Sequence, residues 1–113
     1  DTLLYRLVFN LVENAIRYSR PGSTVSVSIC DNNSRVFLRV EDQGPGIPKQ
    51  YRESIFQPFF RLDKSRSRAY GGAGLGLALV WEIAALHGGA VEVEASSENG
   101  TTMLVSLSKG ATT

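Results

Sequence analysis

Cysteine is all but missing from this chain. A single one, Cys30, stands among 113 residues, so no disulfide can close within it. That usage fits a reducing compartment. Cys30 ends an alternating apolar stretch and reads as a small buried residue. An excess of charge is missing too. Twelve Lys and Arg face eleven Asp and Glu, a formal net charge of +1. This balance argues against broad binding to nucleic acid or to a membrane surface, although not against a local basic patch. No apolar run approaches the length that crosses a bilayer, no stretch reads as a secretory leader, and no segment repeats. What remains is ordinary for a globular domain: 42% hydrophobic and 20% charged residues, enough chain for one domain around one modest core. The chain starts without Met, almost inside a helix, and reads as a piece of a longer protein.

The apolar periodicity divides it into elements. Asp1 and Thr2 are N-cap types, and Leu4, Val8, Leu11 and Ala15 follow at helical spacing, with Leu3, Leu7, Val12 and Ile16 widening the stripe. This predicts a helix over about 2–18. TVSVSIC (24–30) and RVFLRVE (35–41) alternate and flank the turn DNNS, so they predict a hairpin. DQGPGIP (42–48) predicts a loop, and KQYRESIF (49–56) a short helix. Residues 59–71 are basic and without periodicity, as a long functional loop would be. A second apolar helix is predicted over 75–87, closed by Gly88-Gly89. AVEVEAS and TTMLVSL predict two more strands joined by the turn ENG. The order gives an α+β, two-layer α/β sandwich with one mixed, mostly antiparallel sheet and helices on one face.

Several polar residues interrupt this pattern. Asn10 and Asn14 share a helix face, with Arg17 and Tyr18 one turn further on. A neutral amide oxygen suits a hard cation whose shell phosphates and water mostly fill, but a solvated polar face would look the same. Asp42 precedes Gly44 and Gly46. A carboxylate there can accept a hydrogen bond from a ligand amine, or can simply cap its own turn. Arg61, Lys64, Arg66 and Arg68 cluster in one loop and could gather phosphate charge, or be solvated. Phe56, Phe59 and Phe60 read as packing residues. Gly72, Gly74 and Gly76 lead into the second helix, where bare backbone and a helix N-terminus favour an anion. Known phosphate loops do not match. Leu77 follows the last glycine where a P-loop has Lys, and the strand that precedes a dinucleotide-binding turn is replaced by a loop.

Four stretches stand in order: NLVENAIRYS (10–19), DQGPGIP (42–48), IFQPFFR (55–61) and GGAGLGL (71–77). Together they resemble the N, G1, F and G2 boxes of the ATP-binding catalytic domain of sensor histidine kinases. That domain lies within the GHKL (Bergerat-fold) superfamily of gyrase, heat-shock chaperone and mismatch-repair ATPases. The resemblance covers nearly all of residues 1–113. It implies that Asn14 coordinates Mg²⁺, that Asn10 lies beside the phosphates of ATP, and that Arg17 contacts phosphate. It implies that Tyr18 packs against adenine, that Asp42 reads its amino group, and that Gly44, Gly46 and Ile47 shape that pocket. Residues 59–71 correspond to a lid over the nucleotide, with Arg61 and Lys64 toward phosphate. Gly72, Ala73, Gly74, Leu75, Gly76 and Leu77 flank the phosphates, and Thr101 or Thr102, with Thr102 preferred, touches the adenine region. Asn10, Asn14, Arg17 and Arg61 are the implied catalytic set. Ala73 departs from the pattern, since the family often has Ser or Thr there. The family's strand ahead of the first helix is also absent, which predicts a sheet short of an edge strand.

The resemblance also separates activities. Hydrolysing members place a glutamate base where this chain has Asn10, and an amide cannot take up a proton near neutral pH. Glu13 points about 100° away from Asn14 on the helix. The implied function is therefore donation of the γ-phosphoryl group of ATP to a histidine. His87 is the only one, and its place at a helix end gives it a capping role. The acceptor is expected on an upstream dimerisation domain, with a response regulator receiving the group next. The implied whole is a membrane-anchored homodimeric sensor with this domain on its cytoplasmic side. The alternatives are a non-catalytic nucleotide-binding regulatory module and a GHKL-type ATPase.

Overall fold

The computed structural model describes residues 2–58, 60 and 76–109. Helix α1 spans Thr2–Tyr18. Strands β1 (Ser26–Asp31) and β2 (Arg35–Asp42) form the first hairpin. Helix α2 (Gly76–Leu86) precedes β3 (Ala90–Ser97) and β4 (Gly100–Ser108). The strands make one sheet in the order β1-β2-β4-β3, and all three pairings are antiparallel. The helices lie side by side on one face, α1 over β2 and α2 toward β3 and β4. This is the two-layer α+β sandwich expected from the pattern.

The core lies between the layers. Leu7, Leu11 and Ala15 of α1 and Val80, Ile83 and Ala84 of α2 meet Leu38, Val40, Val91, Met103 and Val105 of the sheet. Each large side chain so buried stabilises the fold by about 1.5–3 kcal/mol. Helix α2 ends as Gly88-Gly89 predicts. Gly88 takes φ +70°, and the Gly89 N–H reaches back to the Ala84 carbonyl in a Schellman turn. His87 packs its Nδ1 2.9 Å from the Ile83 carbonyl, consistent with the capping role. Among the described residues, no helix is long and apolar enough to cross a membrane.

Three expectations change. Cys30 is exposed, not buried. It has the strand parity of Ser26 and Ser28, pairs with Phe37 on the face away from the helices, and lies 3.9 Å from the Arg39 guanidinium. KQYRESIF is not a helix but two single 3₁₀ turns, Lys49–Tyr51 and Ser54–Phe56. Only Ile55 and Phe56 anchor this segment in the core, and Arg52 between the turns is drawn toward the neighbouring loop. In α1 the buried stripe is narrower than the apolar one: Leu3, Val8 and Ile16 are exposed, as are Tyr5 and Phe9. All six residues of β1, an edge strand, are exposed, because α1 covers β2 rather than β1.

Candidate functional site

β2 ends at Asp42, where the chain turns into the Gly-Pro-Gly loop. The carboxylate is partly buried and held by one oxygen. Its Oδ1 accepts the N–H of Gly44 at 2.9 Å and the N–H of Thr101 at 3.2 Å. Burial pushes the Asp42 carboxyl above its ordinary value, and the two N–H donors pull it partly back. Among the described residues Oδ2 has no hydrogen-bond partner. The turn therefore takes up Oδ1 and leaves Oδ2 open to a further donor.

The loop after Asp42 packs by backbone approach. Any side chain at Gly44 would run into the Tyr18 carbonyl, which brings the end of α1 against this loop. Gly46 has φ +87° and faces the Ser97 carbonyl. A hydrogen-bond network holds the rest. The Ile47 N–H donates to Ser96 Oγ at 2.8 Å, and Ser96 Oγ is 2.8 Å from Thr101 Oγ1. Arg52 donates to the Ile47 carbonyl at 3.1 Å and the Ser96 carbonyl at 3.2 Å. On the loop's other side Arg20 donates to the carbonyls of Gln43 and Glu98, and Ser19 Oγ accepts the Gln43 N–H. Ile47 itself packs against the core through its side chain.

The threonine beside Asp42 is Thr101, not Thr102. Thr101 is 5% exposed, the one buried polar residue among those described, and it is joined to Asp42 through its N–H. Thr102 points to the opposite face, pairs with Glu41, and lies 3.3 Å from its carboxylate. The strand parity of β4, with Met103 and Val105 inward, carries the signal that separates them. Ser96 had no such signal. A bulge at Glu94 shifts the register between Val93 and Ala95, and this turns Ser96 inward where simple alternation would place Ala95.

Helix α1 brings Asn10, Asn14 and Arg17 onto one flank, the side toward α2. The Asn10 Nδ2 donates to the Arg6 carbonyl at 2.7 Å. Its Oδ1 faces Gly76 at the start of α2, near enough that a Cβ there would lie 3.2 Å away. The amide nitrogen is thus engaged within the fold, while the oxygen faces the bare Gly76 backbone. Asn14 is partly buried, and its side chain makes no hydrogen bond to the described residues. Its oxygen is a neutral ligand for a hard cation such as Mg²⁺. Among the described residues there is no group of three or more His, Cys, Asp or Glu able to hold a metal. Arg17 lies 4.0 Å from the exposed Glu13, a weak pair that leaves it available to an anion. Tyr18, 38% exposed, ends the helix beside the Asp42 loop. Leu77 packs against the core. Asn10 and Gly76 also line a groove of about 760 Å³ with Phe56, Trp81 and Glu82. Arg61, Lys64, Gly72, Ala73, Gly74 and Leu75 lie outside the described residues.

Comparison with known proteins places the sequence and the fold. Residues 1–111 match the family model described as histidine kinase-, DNA gyrase B-, and HSP90-like ATPase. The sensor-like histidine kinase SenX3 of Mycolicibacterium smegmatis is 44% identical over 107 residues, 95% of this chain and 28% of that protein. The sensor protein RstB of Escherichia coli is 49% identical over 98 residues, 87% of this chain and 22% of that protein. The chain therefore spans about a quarter of the length of these relatives. Among solved structures, the mycobacterial sensor histidine kinase MprB superposes with a TM-score of 0.81 at 37% identity, covering 95% of this chain and 70% of that one. The catalytic domain of the histidine kinase ThkA gives 0.78 at 30% identity, covering 96% and 67%. On this sequence match and this fold, the chain belongs to the histidine kinase-, DNA gyrase B- and HSP90-like ATPase family, as an ATP-binding domain of the histidine kinase type.

Proposed function

We propose that the domain binds Mg-ATP and donates the γ-phosphoryl group to a histidine on an upstream dimerisation domain, from which a response regulator takes it. Asp42 carries the nucleotide reading. Its free Oδ2, beside a loop fixed by backbone contacts, is placed to accept the amino group of adenine. From there α1 leads toward the start of α2, so Asn14 and Arg17 lie on the path the phosphates would follow. Arg17 supplies positive charge, and Asn14 would hold Mg²⁺, which neutralises charge moving onto the departing ADP. Transfer breaks the bond between the γ-phosphorus and the ADP oxygen and forms one to an imidazole nitrogen. The imidazole proton leaves to solvent or to a base on the acceptor domain.

The state of Asn10 supports a kinase over an ATPase. An amide stands at the position of the hydrolytic base, and its nitrogen is already bonded to Arg6. Glu13 is exposed and turned toward Arg17. The reading is tested by incubating the whole protein with ATP labelled in the γ-phosphate. Label is expected on histidine, acid-labile and base-stable, and it disappears with Asp42→Ala. Steady release of phosphate with no labelled protein would favour the ATPase instead. Whole-protein dimerisation, membrane attachment and a cytoplasmic location belong to the same proposal and rest on the likeness to sensor proteins.

A further inference from the structure

We infer that Arg52, which lies in none of the catalytic or nucleotide-binding positions named above, is a positioning residue for base recognition. The inference rests on the adenine reading of Asp42.

The Asp42 loop is a strip of backbone with two glycines and two prolines, and little side-chain packing of its own holds it in one conformation. The conformation is imposed from outside. Arg52 is partly buried, and its guanidinium bridges the Ile47 carbonyl, at the far end of the loop, to the Ser96 carbonyl on β3. The same two residues are joined a second time, by the Ile47 N–H and Ser96 Oγ. Ser96 Oγ then contacts Thr101 Oγ1, and the Thr101 N–H is one of the two donors that hold Asp42 Oδ1. Arg52 therefore connects to the base-reading carboxylate through Ser96 and Thr101 in one direction and through the loop backbone in the other. Arg20 makes a similar bridge at the near end, from Gln43 to Glu98, but in exposed positions where water competes. Arg52 is the brace better shielded from water. A forked guanidinium can serve two carbonyls at once, and a lysine ammonium on its flexible stem is a poor substitute.

A brace of this kind sets how well the site distinguishes an adenine amino group from a carbonyl. The experiment is calorimetric titration with ADP and with IDP, whose hypoxanthine carries an oxygen in place of the amino group. It compares the chain with its Arg52→Gln and Arg52→Lys variants, with thermal melts alongside. The parent is expected to prefer ADP. Arg52→Gln is expected to lose about tenfold in that preference, with ADP weakened more than IDP. Arg52→Lys keeps the charge and is expected to restore little of it. Should Arg52→Gln not fold, the Lys variant decides in the same way. A lower melting temperature with an unchanged ADP/IDP ratio would overturn the inference and leave Arg52 structural. A parent that binds neither nucleotide would overturn the adenine reading itself, and this inference with it.

Discussion

Asp42 carries opposing demands in one side chain. In the fold its carboxyl titrates above the ordinary 3.8 because burial outweighs its two N–H donors. The folded state therefore retains the proton over a window that opens near 3.8 and extends upward. Whatever stability the protonated group contributes is present below that window and is lost as pH rises through it. At neutral pH burial makes the ionised carboxylate a cost to the fold. Asp42→Asn keeps an oxygen for Gly44 and Thr101 and removes the charge. Its melting temperature at pH 7 is expected to equal or exceed the parent's, with a flatter acid-side profile and no ADP binding. A fall of several degrees would show that the charge stabilises the site. Asn10 and Gly76 make a second test. Gly76→Ala brings a methyl group against an amide pinned to Arg6, so it should weaken binding of a non-hydrolysable ATP analogue. In an Asn10→Ala background the same change should cost about 1 kcal/mol less. Strictly additive losses, measured as a double-mutant cycle in affinity, would contradict the contact.

Helices and strands here were legible from periodicity, because each except β1 buries residues against the other layer. The exceptions follow from tertiary placement. Alternation in TVSVSIC gave a strand, yet nothing in it showed that β1 stands at the edge, where Val27 and Ile29 face the helix layer but stay exposed. The parity that puts Cys30 with the serines was readable. The bulge at Glu94 was not, and without it simple alternation turns Ser96 to the outer face. The helix expected over KQYRESIF is replaced by 3₁₀ turns, and Arg52 between them is tied to Ile47 and Ser96, segments the local pattern does not show. The unequal burial of two isoleucines gives a direct check. Ile83, 1% exposed on α2, is expected to cost about 3 kcal/mol when changed to Ala. Ile29, 70% exposed on β1, is expected to cost less than about 0.5 kcal/mol. Urea unfolding of both variants measures the difference, and equal losses would mean that β1 is covered in solution.

Across the whole molecule, two layers converge on one end. β2 delivers Asp42, β4 delivers Thr101, α1 delivers Asn14 and Arg17, and the start of α2 closes the far side at Gly76. The four motifs were readable from their combination and order, since each alone also allows a plain structural reading. The frame that fixes them was not, because Arg20, Arg52 and Ser96 act through contacts between segments distant in sequence. The most direct test of the account is calorimetric titration of this chain with ADP and with a non-hydrolysable ATP analogue, with and without Mg²⁺, beside Asp42→Ala. The account predicts binding of both nucleotides by the parent, a change in the analogue's affinity with Mg²⁺, and loss of both with Asp42→Ala. Binding that survives the Asp42→Ala change, or a folded parent that binds neither, would contradict it.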